Sequence, residues 1–98
     1  MTVNGAFAAR TTNGASNGYA MEGDIASVLV HNDSVMDGAE VTIETCTADT
    51  AGKYVSLDHI GTLTRPGVRT IALKTGMYLR VVAAKGGSSM SLNVDIVT

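Results

Sequence analysis

From residue 24 to the end, the chain falls into short runs separated by turn signals, several of which alternate apolar and polar residues, and this period of two constrains the fold more than any other feature. Across residues 90–96, Met90, Leu92, Val94 and Ile96 fall on one side, and Ser91, Asn93 and Asp95 on the other. Successive side chains of an extended chain point to opposite faces, so the segment reads as a strand with one apolar face. Residues 39–45 repeat the pattern, with Val41 and Ile43 set against Glu40, Thr42 and Glu44. No window sustains the 3.6-residue period of an amphipathic helix.

Other strands follow from the same signal. Residues 24–31 (Asp-Ile-Ala-Ser-Val-Leu-Val-His) are apolar and β-branched, as in a largely buried strand. Residues 53–60 set Val55 and Leu57 against Tyr54, Ser56 and Asp58, and residues 77–84 set Met77, Leu79 and Val81 against Tyr78, Arg80 and Val82. Residues 68–74 add Ile71 and Leu73 to the expected core. Asn32-Asp33-Ser34, Asp37-Gly38, Asp49 with Gly52, and Lys85-Gly86-Gly87-Ser88 mark turns, and Thr75-Gly76 predicts a hairpin between its neighbouring runs. The expected fold is all-β: an antiparallel β-sandwich, or a barrel, of six to seven short strands.

Residues 1–18 stand apart. They are rich in Gly, Ala, Asn and Thr, with Arg10 as their one charged side chain, and show no sustained alternation. They are expected to form an N-terminal arm, flexible or docked on a partner through Phe7, ahead of a β-sandwich domain at 19–98.

The charge balance narrows the function. The net charge is −2 and the basic residues are scattered, so no nucleic-acid interface is expected. No apolar run is long enough to span a membrane as a helix, and the opening Met1-Thr2-Val3-Asn4-Gly5 lacks the pattern of a signal peptide. The single Cys46 excludes an internal disulfide and fits a reducing compartment. Charged residues make up only 16% of the chain, and a surface poor in charge is suited to become an interface.

Catalytic and metal-binding readings find little support. His31 and His59 have no cysteine or paired carboxylates near them in sequence, and the His31, Asp33, Asp37 loop does not match the spacing of a calcium loop. Cys46 with His59 as its base has no surrounding signature, and a packed thiol is the simpler reading. Gly86-Gly87 lacks the Lys-Ser/Thr continuation of a phosphate loop. Glu40 and Glu44 share a strand face, which a solvated surface explains without acid–base chemistry. No catalytic residue, metal site or cofactor is expected. Phe7, Arg10, Tyr54, Tyr78 and Arg80 are the residues expected to contact partners.

The run Gly76-Met77-Tyr78-Leu79-Arg80-Val81-Val82, the Gly-Gly turn and the closing Ser91-Leu92-Asn93-Val94-Asp95-Ile96 resemble the C-terminal hairpin of small β-sandwich phage virion proteins. The segment from Val41 through Asp49 to Tyr54, with its acidic turn, is similar to them as well. The resemblance covers roughly residues 24–98. It implies a non-enzymatic structural protein, a capsid decoration or cement subunit, made in the host cytoplasm and residing in the virion. Its partners would be the major capsid protein or other virion proteins, and a homo-oligomer such as a trimer would cover exposed sheet edges. The alternatives are a tail, neck or fibre component, and an extracellular ligand- or carbohydrate-binding module for which the few aromatic residues are poor material.

Overall fold

The alternating runs become strands. The computed structural model describes residues 1–57 and 61–98. In chain order its strands are β1 (Val3–Arg10), β2 (Gly14–Ala15), β3 (Tyr19–Ala20), β4 (Ile25–Val30), β5 (Glu40–Cys46), β6 (Val55–Ser56), β7 (Thr62–Leu63), β8 (Gly67–Ala72), β9 (Tyr78–Ala84) and β10 (Leu92–Val97), with no helix among the described residues. Every ladder between them is antiparallel.

Two sheets result, and they do not close into a barrel. One has four strands in the order β1-β10-β4-β8. The other is built on the central pair β9 and β5; β2 and β3 lie in line along the free side of β9, and β6 and β7 along that of β5. The inward residues of both sheets form one core: Val28, Val30, Leu92, Val94 and Ile96 from the first, and Val41, Ile43, Leu79, Val81 and Ala83 from the second. Each large aliphatic side chain buried there contributes roughly 1.5–3 kcal/mol.

The strand count exceeds the expected six to seven because β1 joins the first sheet and both edges of the second sheet are broken into two-residue pieces. Between β2 and β3 the Ser16 hydroxyl accepts the Val81 amide at 3.0 Å, and the Ser16 amide donates to the Val81 carbonyl at 2.8 Å. A side-chain oxygen thus stands in for a ladder carbonyl, and the edge strand is interrupted without stranding a donor. Val55, expected inside, is 61% exposed, whereas Leu57 packs against the core.

The arm expected at residues 1–18 is instead part of both sheets. β1 pairs with β10 from Val3 opposite Val97 to Arg10 opposite Leu92, β2 pairs with β9, and Phe7 is buried in the core. The reason for the misreading is local. The β1 register shifts between Gly5 and Phe7 and again between Phe7 and Arg10, and Ala9 has a φ of 48°. Bulges insert residues that break the alternation, so a real strand loses its sequence signal.

The expected hairpins are likewise replaced. β8 and β10 belong to one sheet and β9 to the other, so Thr75-Gly76 and Gly86-Gly87 carry the chain across the core. Gly86 is required by close packing: a Cβ there would overlap the Met90 sulfur and press on the Asn13 amide oxygen. The neighbouring Lys85 takes the left-handed conformation at a φ of 64°.

Candidate partner-binding surface

The two sheets present opposite chemistry to the outside. On the second sheet, alternation puts Glu40, Thr42 and Glu44 of β5 outward beside Arg80, Val82 and Ala84 of β9, in the register Glu44 opposite Arg80 and Thr42 opposite Val82. These charges are answered within the chain. Arg80 pairs with Glu44 at 2.8 Å, and Lys85 with Glu40 at 3.2 Å. The two glutamates that an acid–base reading would recruit are each held by a cation.

Arg80 also lies over the ring of Tyr54, 4.1 Å from its centroid. The Tyr54 hydroxyl donates to Asp49 Oδ1 at 2.7 Å. Burial pushes the Tyr54 phenol above its ordinary value, the hydrogen bond and negative charge of Asp49 add to this, and Arg80 pulls the other way. Beneath them Gly18 leaves no room for a side chain, since a Cβ would overlap both the Tyr54 hydroxyl and the Asp49 carboxylate. Ser16, Asn17, Gly18 and Tyr19 line one wall of the resulting shallow cleft, with Asp49, Tyr54 and Arg80 on the other. Tyr54, Asp49 and Arg80 are already engaged with one another or with Glu44, so the cleft works as a clasp between the β2–β3 edge and the loop after β5.

The outer face of the four-stranded sheet is different. Its cross-strand rows are Val3, Val97, Ser27 and Thr70, then Gly5, Asp95, Leu29 and Val68, with Ile25 beside Ala72 at one end. Val3, Ile25 and Val68 are 62%, 65% and 53% exposed. Among the described residues the ionisable side chains within these rows are His31 and Asp95, which meet each other, Nε2 to Oδ2, at 2.8 Å, and Glu22 with the N-terminal ammonium, 3.5 Å apart, borders the face beside Ile25 and Ser27. A sheet face built mainly of Val, Leu, Ile, Thr and Ala, whose ionisable groups among the described residues are paired with one another, is an exposed apolar patch.

The structure scatters the five residues expected to contact partners. Tyr54 and Arg80 come together in the clasp. Phe7 and Arg10 also meet, the guanidinium 5.0 Å from the ring centroid, but Phe7 is a core residue and offers no surface. Arg10 is further used by the Thr12 carbonyl at 2.8 Å. Tyr78 is half-buried opposite Cys46. The apolar face was missed, although the signal was present: Ile25 and Leu29 make residues 24–31 apolar on both faces, which reads as burial until one face is found open.

Cys46 is buried and free. His59, with Asp58 and Ile60, lies outside the described residues, and so does any pairing of Cys46 or His31 with it. Among the described residues no group of three or more His, Cys, Asp and Glu side chains gathers as metal ligands would. Comparison with protein-family models, with curated proteins and with solved structures finds no match to this chain.

Proposed function

We propose that this chain is a non-enzymatic structural subunit of a virion, a decoration or cement protein of a phage capsid, and that it docks through the outer face of its four-stranded sheet. The observation that supports this reading is the contrast between the two outer faces. The second sheet neutralises its own charges in Glu44–Arg80 and Glu40–Lys85, whereas the first exposes Val3, Ile25 and Val68 around the His31–Asp95 pair. Covering apolar area gains roughly 25 cal/mol per Å², and the gain does not depend on salt as a charged contact would. A protein repeated over a lattice needs such a flat, preformed contact. Residues 1–18 take part only as strands of the sheets: Val3 of β1 lies on the docking face, and no free arm reaches a neighbour.

The test is co-sedimentation of the purified chain with shells of the phage that encodes it. Saturable binding that is lost in Ile25→Glu and Val3→Glu, with the fold intact by circular dichroism, supports the reading. A chain that leaves the shells untouched at saturating concentration, or variants that bind as well as the parent, would sink it.

A further inference from the structure

The four-stranded sheet ends in an edge unlike the other three. β1 is interrupted by two register shifts, and the edges of the second sheet are broken into two-residue strands. Such devices blunt an edge against pairing. β8 has none of them. It runs from Gly67 to Ala72 in unbroken register with β4, from Val30 opposite Gly67 to Ile25 opposite Ala72, and among the described residues it is the last strand on its side of the sheet.

The groups this edge presents follow from one hydrogen bond. The Leu73 amide donates to the Asp24 carbonyl at 3.1 Å, extending the same register by one residue. In an antiparallel ladder hydrogen-bonded pairs alternate with non-bonded ones. Ile71, Arg69 and Gly67 therefore point their amides and carbonyls at β4, and Val68, Thr70 and Ala72 point theirs outward. The Arg69 side chain donates to the Val68 carbonyl at 3.3 Å, which leaves that oxygen a second lone pair.

We infer that β8 pairs with β8 of a second copy of this chain, antiparallel and centred on Thr70. In this register Thr70 faces Thr70 of the second copy, and Val68 faces its Ala72. Each outward amide and carbonyl then meets its complement. Arg69 stands across from Ile71 of the second copy rather than from its own counterpart. The competing register centred on Arg69 leaves the outward amide and carbonyl of Ala72 outside the paired part of β8. It also sets Pro66, which has no amide hydrogen, against Ala72. A shift that centres on Val68 sets Pro66 against Thr70, one that centres on Ile71 keeps only residues 70–72 of β8 paired, and one that centres on Ala72 runs past the end of β8 into the Thr75-Gly76 turn. The sequence of the edge thus selects one self-complementary pairing.

The two-fold axis of this pair is perpendicular to the sheet. It joins the two four-stranded sheets edge to edge and keeps both apolar outer faces on one side. The result is a platform of twice the area, which deepens the docking reading above. The pairing itself does not need a shell and is measurable on the isolated protein.

Sedimentation equilibrium on the full chain tests it. The parent is expected to be a dimer. Thr70→Pro removes an amide that faces away from β4, so the sheet within each copy keeps its bonds while the pair loses one at each side of the axis. Its dimer dissociation constant should rise about tenfold or more. A second measurement holds even if that variant folds poorly. In a Cys46→Ser background, Thr70→Cys should form a disulfide dimer under mild oxidation, since Cα atoms of a hydrogen-bonded pair sit about 5.5 Å apart, within disulfide reach. Arg69→Cys should not. A monomeric parent, a Thr70→Pro dimer as tight as the parent, or cross-linking at position 69 in preference to 70 overturns the inference. Failure to bind shells with the dimer intact overturns the docking reading alone, and a monomer that binds shells overturns the pairing alone.

Discussion

The guanidinium of Arg80 stacks on the Tyr54 ring at 4.1 Å and at the same time closes a 2.8 Å ion pair with Glu44. Both charged side chains are mostly buried, at 22% and 18% exposure. One side chain therefore ties the centre of the second sheet to the loop that covers it.

Removing that side chain should be costly. Arg80→Ala leaves Glu44 partly buried without its cation and takes the support from under Tyr54. We expect a loss of about 2 kcal/mol, the cost of an orphaned partly buried charge with its lost hydrogen bonds. Arg80→Lys should lose less, since it keeps the charge but gives up the planar stack. Urea titration of the three proteins measures both; an Arg80→Ala midpoint equal to the parent's would contradict this account.

The same clasp sets an alkaline limit. The Tyr54 phenol is held above its ordinary value of about 10 by burial and by Asp49. In alkali the unfolded chain therefore gives up this proton before the native one does, and the native state binds more protons. The stability from neutral Tyr54 is complete below about pH 10 and drains away as pH rises above it. Tyr54→Phe should show a shallower alkaline decline than the parent. The difference in absorbance at 295 nm between the two folded proteins should place the Tyr54 ionisation above that of free tyrosine. A midpoint at or below that of free tyrosine would refute the environment described.

A side chain at Gly18 should loosen the clasp. Gly18→Ala must swing the Tyr54 hydroxyl and the Asp49 carboxylate aside and break the hydrogen bond between them, and should cost about 1 kcal/mol. If the double variant Gly18→Ala, Tyr54→Phe were no better off than the sum of its parts, the collision would not be the cause.

β1 should be indispensable. Phe7 is 4% exposed within the core, so Phe7→Ala should cost about 3–5 kcal/mol. Deleting residues 1–10 should unfold the chain or leave it aggregating through β10, which loses its neighbour. A deletion variant with an unchanged melting temperature would show that the strand is dispensable after all.

How much of this was legible beforehand depends on what each signal can carry. The period of two in residues 39–45 and 90–96 made Val41, Ile43, Leu92, Val94 and Ile96 core residues before any coordinates, because an extended chain has no other way to gather alternate side chains. The same period is silent on whether the next strand pairs beside its predecessor or crosses to the opposite sheet, since both place the apolar side inward. That is why Thr75-Gly76 and Gly86-Gly87 read as hairpins and are crossings. Phe7 was hidden because bulges erase the alternation around it. The Arg80–Tyr54–Asp49 clasp joins residues whose side chains are brought together by sheet register and loop return, distances that sequence order does not encode.

The sequence by itself determined an all-β chain with an apolar interior and a surface sparing in charge, because alternation and composition are local properties. Only the tertiary structure decided which strands share a sheet, that the first residues belong to the core, and which outer face remains apolar. Those are questions of which distant segments become neighbours, and they are decided by the joint packing of two sheets over one interior.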